Sequence, residues 1–206
     1  MKIKDTEFVV FDVETTGLSA KDGDRIVEIA AMKIKNGKVV DKFYSLVNPK
    51  RSIPAEASRV NNITDDMVAQ APPAEEVLPK MVSFISGACV AGHNVRFDLG
   101  FLSYELSLMG RKLNDSTPAV DTLKMARDLL PYLSNYRLAY LARSLGVTVS
   151  ETHRAMADVE LTVQVLMRMT EMATDQNIDE ITKFFTQFSV EKPSFKITSS
   201  AQSSLF

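Results

Sequence analysis

Asp12 and Glu14 stand two residues apart in the stretch Phe11-Asp12-Val13-Glu14-Thr15-Thr16-Gly17. Alternate side chains of a strand face the same side, so the two carboxylates point together. Two like charges beside a core are costly unless a cation shares them. The chemistry open to such a pair is that of half a divalent-metal site. Thr15-Thr16-Gly17 turns the chain there and offers hydroxyls and backbone N–H groups. Taken alone, Asp-x-Glu is equally a polar strand end entering a turn. Two further acids interrupt apolar stripes. Asp98 has Phe101 and Leu102 three and four residues on, although the edge of a stripe is also an ordinary solvated position. Asp158 continues the helical row of Leu161, Val165, Met169 and Met172. By itself it also reads as a first-turn acid eased by the helix dipole. His153, five residues before Asp158, is suited to accept a proton near neutral pH. His93, the other histidine, takes a structural role at a strand end.

The elements that must position these groups follow from periodicity. Residues 7–12 form a first strand, apolar on both faces and therefore central. Residues 25–35 and 39–47 form a second and a third, joined at Asn36-Gly37, a strong hairpin signal. Thr64-Asp65-Asp66 and Pro72-Pro73 each open a helix, the second running to about residue 85. Residues 88–91 form a fourth strand. Asn94 is placed to cap a helix over 95–109 that Gly110 ends. Ala119-Val120 is a short fifth strand, and Asp121 caps the helix after it. A helix over 137–145 stops at Gly146, and the last long helix covers 154–173. The pattern predicts an α/β fold, a five-stranded mixed sheet with helices on both faces.

The chain has 206 residues, enough for one domain with a tail, and 45% of them are hydrophobic. A net charge of −2 supplies no global field toward nucleic acid or an acidic membrane, so contacts with a polyanion must be local. The single cysteine, Cys89, sits in an apolar run and excludes an internal disulfide. The charged N-terminal residues do not read as a signal peptide, and no run approaches membrane-spanning length. The expectation is a cytoplasmic protein with no membrane partner.

Three blocks taken together carry a resemblance: FDVETTG at 11–17, HNVRFDLGFL at 93–102 and HRAMAD at 153–158. In this order the chain resembles the DEDDh exonucleases, of ribonuclease H-like fold, over about residues 7–172. It looks closest to the proofreading exonucleases of bacterial replicative polymerases and their stand-alone relatives. A tyrosine four before the last acid would mark the sister subclass, and that position is Arg154. The resemblance implies that Asp12, Glu14, Asp98 and Asp158 hold two Mg²⁺ or Mn²⁺ ions. It implies His153 as general base, with nucleoside 5′-monophosphates released from the 3′ ends of DNA. Thr16 and Asn94 are the implied contacts to the terminal nucleotide, and Asn61 is a third. Many relatives carry His-Gly-Ile-Thr where this chain reads Asn61-Asn62-Ile63-Thr64, so that contact departs from the pattern.

Residues 1–174 are thus the expected exonuclease domain, 175–190 a helical extension and 191–206 a flexible tail. The tail ends Gln202-Ser203-Ser204-Leu205-Phe206, which resembles the short motif that binds the bacterial sliding clamp. Leu205 and Phe206 would fill an apolar pocket and Gln202 would hydrogen-bond, with the serine-rich segment as tether. Expected partners are DNA 3′ ends, single-stranded or frayed, the clamp and a replicative polymerase. Two alternatives stand beside this reading: a 3′ exoribonuclease, and a non-catalytic module that binds nucleic-acid ends and tethers to the clamp.

Overall fold

Strand β1 (Phe8–Thr15) is the centre of a five-stranded sheet of order β3-β2-β1-β4-β5 in the computed structural model, which describes residues 1–149 and 154–195. β2 (Ile26–Lys35) and β3 (Lys38–Leu46) continue from it as an antiparallel meander. Asn36 and Gly37 both take positive φ, 51° and 70°, as a primed hairpin turn requires. β4 (Cys89–Gly92) pairs parallel with β1, and β5 (Ala119–Asp121) parallel with β4. The sheet is mixed, as the pattern predicts.

Alternation along β1 divides its side chains between two cores. Val9, Phe11 and Val13 pack under α3 (Ala74–Ile85) and α4 (Arg96–Leu108). Phe8 and Val10 pack on the other face, under α5 (Thr122–Leu129), α6 (Leu138–Ser144), α7 (Ala155–Asp175) and α8 (Ile181–Phe188). Two shorter helices, α1 (Ala55–Asn61) and α2 (Asp65–Val68), cross the connection between β3 and α3. Phe184 and Phe188 of α8 are fully buried, the Phe184 ring 6.2 Å from that of Phe8. Beyond α8, the Lys192 ammonium donates to the carbonyls of Asn114, Asp115 and Thr117.

Two local expectations change. β1 runs on to Thr15, because β2 keeps pairing with it past Asp12: Asp12 with Ala30, Glu14 with Glu28. The acids therefore lie within the strand rather than beyond its end. Asn94 is not the helix cap. It adopts φ 62°, gives its N–H to Asp121 Oδ1 at 2.9 Å, and leaves the N-cap position to Val95. The Asp121 carboxylate at the end of the neighbouring strand captures the turn first. That carboxylate also takes the Leu123 N–H and so caps α5 as expected. His153, in residues 150–153, and Gln202, Leu205 and Phe206, in residues 196–206, lie outside the described residues.

Candidate active site

Asp12 and Glu14 occupy the continuation of the Phe8–Val10 row, on the face covered by α7. Asp158 lies in the first turn of α7. One carboxylate oxygen from each of the three acids lies within 4.8 Å of the others. Asp98, in the first turn of α4, is not one of that trio and reaches the strand at a different point. β4 stops pairing with β1 at Val10, so the Val13 N–H has no strand partner there. Asp98 takes it, with Oδ1 at 3.0 Å, and the carboxyl is 3% exposed.

This crowding sets the electrostatics. Burial, then the charges of Asp98, Glu14 and Asp158, hold the Asp12 carboxyl well above the usual carboxylate range. Burial pushes Glu14 up to about 7, with Asp158 and Glu28 adding to it. Asp98 is also raised, by burial first, although the Val13 amide opposes the shift. Protons or a cation must neutralise such a group. The donors are all carboxylate oxygens, which suits a hard divalent cation. Oxygen ligands sit about 2.0–2.6 Å from such ions, so three oxygens within 4.8 Å can share one.

A pH dependence follows for the metal-free protein. Glu14 titrates near 4.5 when unfolded and near 7 when folded. The stability linked to it is full below about pH 4.5 and is lost as pH rises through about 7. The melting temperature in EDTA is expected to be lower at pH 8 than at pH 5.5. Excess Mn²⁺ at pH 8 should recover the difference. A flat profile in EDTA would remove the repulsion argument.

The other anticipated residues are placed differently. The Thr16 side chain is buried, donating to Asp24 Oδ1 at 3.1 Å and accepting the Arg25 N–H at 3.0 Å. Gly17 makes that latch possible, since a Cβ there would stand 2.3 Å from Asp24 Oδ2. Asn61 is also buried, with Nδ2 on the Thr15 carbonyl at 3.3 Å and Oδ1 on the Ile63 N–H at 3.0 Å. Its proximity also offsets part of the rise in the Glu14 pKa. Thr16 and Asn61 thus brace the loop beside the acids, whereas Asn94 is exposed. His93 is half-buried with Nδ1 3.0 Å from Thr122 Oγ1, and burial lowers its pKa, in keeping with the structural role.

The sequence reasoning missed Glu28. It is fully buried, and it accepts from Tyr44 Oη at 2.8 Å, Arg154 Nε at 3.1 Å and the Ala155 N–H at 2.8 Å. It therefore fixes the start of α7, three residues before Asp158. The available signal was an acid inside the otherwise apolar run Ile26–Ala31. A second buried carboxylate, Glu105, receives Arg25 through two bonds of 2.7 Å and secures the loop before β2 to α4.

Comparison with known proteins bears on this geometry. A family model described as Exonuclease matches residues 9–166. The chain is 41% identical over 162 residues to a DNA polymerase III PolC-type of Clostridium perfringens, covering 79% of this chain and 11% of that protein. It is 38% identical over 164 residues to the 3′-5′ exonuclease DinG of Bacillus subtilis, covering 80% of this chain and 18% of that one. The chain thus spans under a fifth of the length of either relative. Among solved structures, Exonuclease X in complex with 5′ overhanging duplex DNA superposes with a TM-score of 0.65 at 29% identity. That match covers 81% of this chain and 93% of Exonuclease X.

Proposed function

This chain belongs to the exonuclease family, as a DEDDh 3′→5′ exonuclease of ribonuclease H-like fold, and we propose that it acts on DNA 3′ ends, in replication proofreading or repair. The observation that carries the reading is the convergence of Asp12, Glu14 and Asp158 from two distant segments onto one point. The DNA polymerase and DNA-exonuclease relatives favour DNA over RNA as substrate.

In this reading Asp12, Glu14, Asp98 and Asp158 hold Mg²⁺ or Mn²⁺. Bound cations supply water activation and counter-charge for the leaving 3′ oxygen. His153 takes the proton from the attacking water. The water oxygen bonds to phosphorus and the bond from phosphorus to the 3′ oxygen breaks, releasing a nucleoside 5′-monophosphate, and the departing 3′ oxygen takes a proton from solvent to become the new 3′ hydroxyl. Asn94 meets the terminal nucleotide, while Thr16 and Asn61 act through the loop they brace. We assign the protein to the cytoplasm, working beside a replicative polymerase, with Gln202, Leu205 and Phe206 engaging the sliding clamp. No helix among the described residues is long and apolar enough to cross a membrane.

The test is digestion of 5′-labelled single-stranded DNA beside its RNA equivalent, with Mg²⁺ or Mn²⁺. Wild type should give a ladder shortening from the 3′ end, faster on DNA. His153→Ala should give none while still binding DNA. Faster loss of RNA would transfer the reading to an exoribonuclease, and no ladder from folded protein would end it. Deleting residues 202–206 should weaken retention on immobilised clamp at least tenfold, and unchanged retention would remove the clamp assignment.

A further inference from the structure

A shallow cleft of about 420 Å³ opens where β4 ends, with His93, Asn94, Arg127, Ser134, Asn135 and Arg137 in its lining. Its position follows from how β4 leaves the sheet. A Cβ on Gly92 would come within 3.1 Å of the carbonyl oxygen of Phe11, the residue before Asp12. His93 and Asn94 come next in the chain, so one wall of the cleft borders the strand that carries the acids. His93 Nδ1 lies 3.0 Å from Thr122 Oγ1, and Tyr136 of the 134–137 loop lines the same cleft. Asn135 Oδ1 accepts the Arg137 N–H at 2.9 Å and shapes that loop from within.

The lining also carries two arginines. Arg127 is in the last turn of α5 and Arg137 at the N-cap position of α6, and both are exposed. Among the described residues neither makes a salt bridge or a side-chain hydrogen bond. Arg25, Arg51, Arg59, Arg154 and Arg168 pair with carboxylates, and of the arginines left unpaired among the described residues only Arg127 and Arg137 line this cleft. Two unpaired guanidiniums in one lining with amide and hydroxyl side chains make a surface suited to phosphate oxygens. In a chain of net charge −2, attraction for a polyanion must come from such local clusters.

We propose that this cleft binds the phosphodiester backbone of the substrate strand just upstream of its 3′ end, through Arg127 and Arg137, with Asn94 at the boundary to the acids. The proposal rests on the exonuclease reading, and its test separates the two. The full chain and an Arg127→Gln, Arg137→Gln double variant are compared on two probes. One is 5′-fluorescein-dT12, followed by anisotropy in Ca²⁺ and by hydrolysis in Mn²⁺. The other is the p-nitrophenyl ester of thymidine 5′-monophosphate, which has no upstream phosphate. For dT12 the variant should bind about tenfold or more weakly. Its slope of log affinity on log salt should be shallower by about 1.4, at about 0.7 per lost phosphate contact on a single strand. Its loss in kcat/KM on dT12 should exceed that on the ester by about tenfold. Unchanged dT12 affinity and salt slope would overturn the proposal, as would equal losses on both probes. If wild type binds dT12 through the two arginines but hydrolyses neither probe, the cleft stands and the exonuclease reading falls.

Discussion

Asp12→Asn is expected to lose more than about 100-fold in turnover and, in EDTA, to melt at a higher temperature than wild type. The first effect follows from its place in the acid cluster. Partners that merely orient a metal ligand already cost about 10–100-fold when removed, so a direct ligand costs more. The second follows from what Asp12 meets in the folded state. Burial and the charges of Asp98, Glu14 and Asp158 all oppose its ionised form. An amide keeps the shape and removes the charge. At about 2–4 °C per kcal/mol for a chain of this size, even modest relief is measurable. Divalent cation should raise the melting temperature of wild type and do much less for the variant, because the variant lacks a donor to the site. If Asp12→Asn lost activity and also melted lower in EDTA, the carboxylate would be a structural partner and the metal assignment would fail.

Glu28→Ala is expected to destabilise the protein by about 1–3 kcal/mol, the usual penalty for leaving a buried group without its hydrogen-bond partner. At about 2–4 °C per kcal/mol, that is a fall of at least roughly 2 °C in melting temperature. Water can serve the partly exposed Arg154, but not the Ala155 N–H on a fully buried residue. The Tyr44 hydroxyl, the Arg154 guanidinium and the Ala155 N–H would all lose their acceptor together. Because Ala155 opens α7, the change also loosens the turn that carries Asp158. Mn²⁺ affinity should therefore fall as well. Glu28→Gln retains an acceptor oxygen and should recover part of the stability. Calorimetry of the three proteins, with Mn²⁺ titration, decides the matter. A Glu28→Ala protein with wild-type melting and metal affinity would show that α7 is held by its apolar face alone.

Much of the fold was legible because it is encoded over short distances. The two-residue period of β1 puts Asp12 and Glu14 on one side. Asn36-Gly37 fixes a hairpin through its positive φ values, as Gly110 and Gly146 mark helix ends by theirs. Asp121 could be recognised as a cap because the Leu123 N–H it accepts is two residues away. Where local preference met a stronger distant partner, the reading changed. Asn94 lost the cap position to a turn held by Asp121. Thr16 and Asn61 carry hydroxyl and amide groups suited to a substrate contact. Asp24, Arg25 and the Thr15–Ile63 backbone instead hold them inside the loop.

By itself, then, the sequence determined the strand that carries the first two acids, the order of the elements and, through three motifs, the family. Those features depend on backbone preferences and side-chain periodicity within a few residues. The tertiary structure alone decided that Asp158 meets Asp12 and Glu14, that Asp98 closes on the Val13 amide, and that Glu28 holds the start of α7. It also placed Arg127 and Arg137 together in the lining of one polar cleft with His93 and Asn94. Each of these joins segments far apart in the chain. Their distances are set by how helices pack on the two faces of the sheet, which no local period specifies.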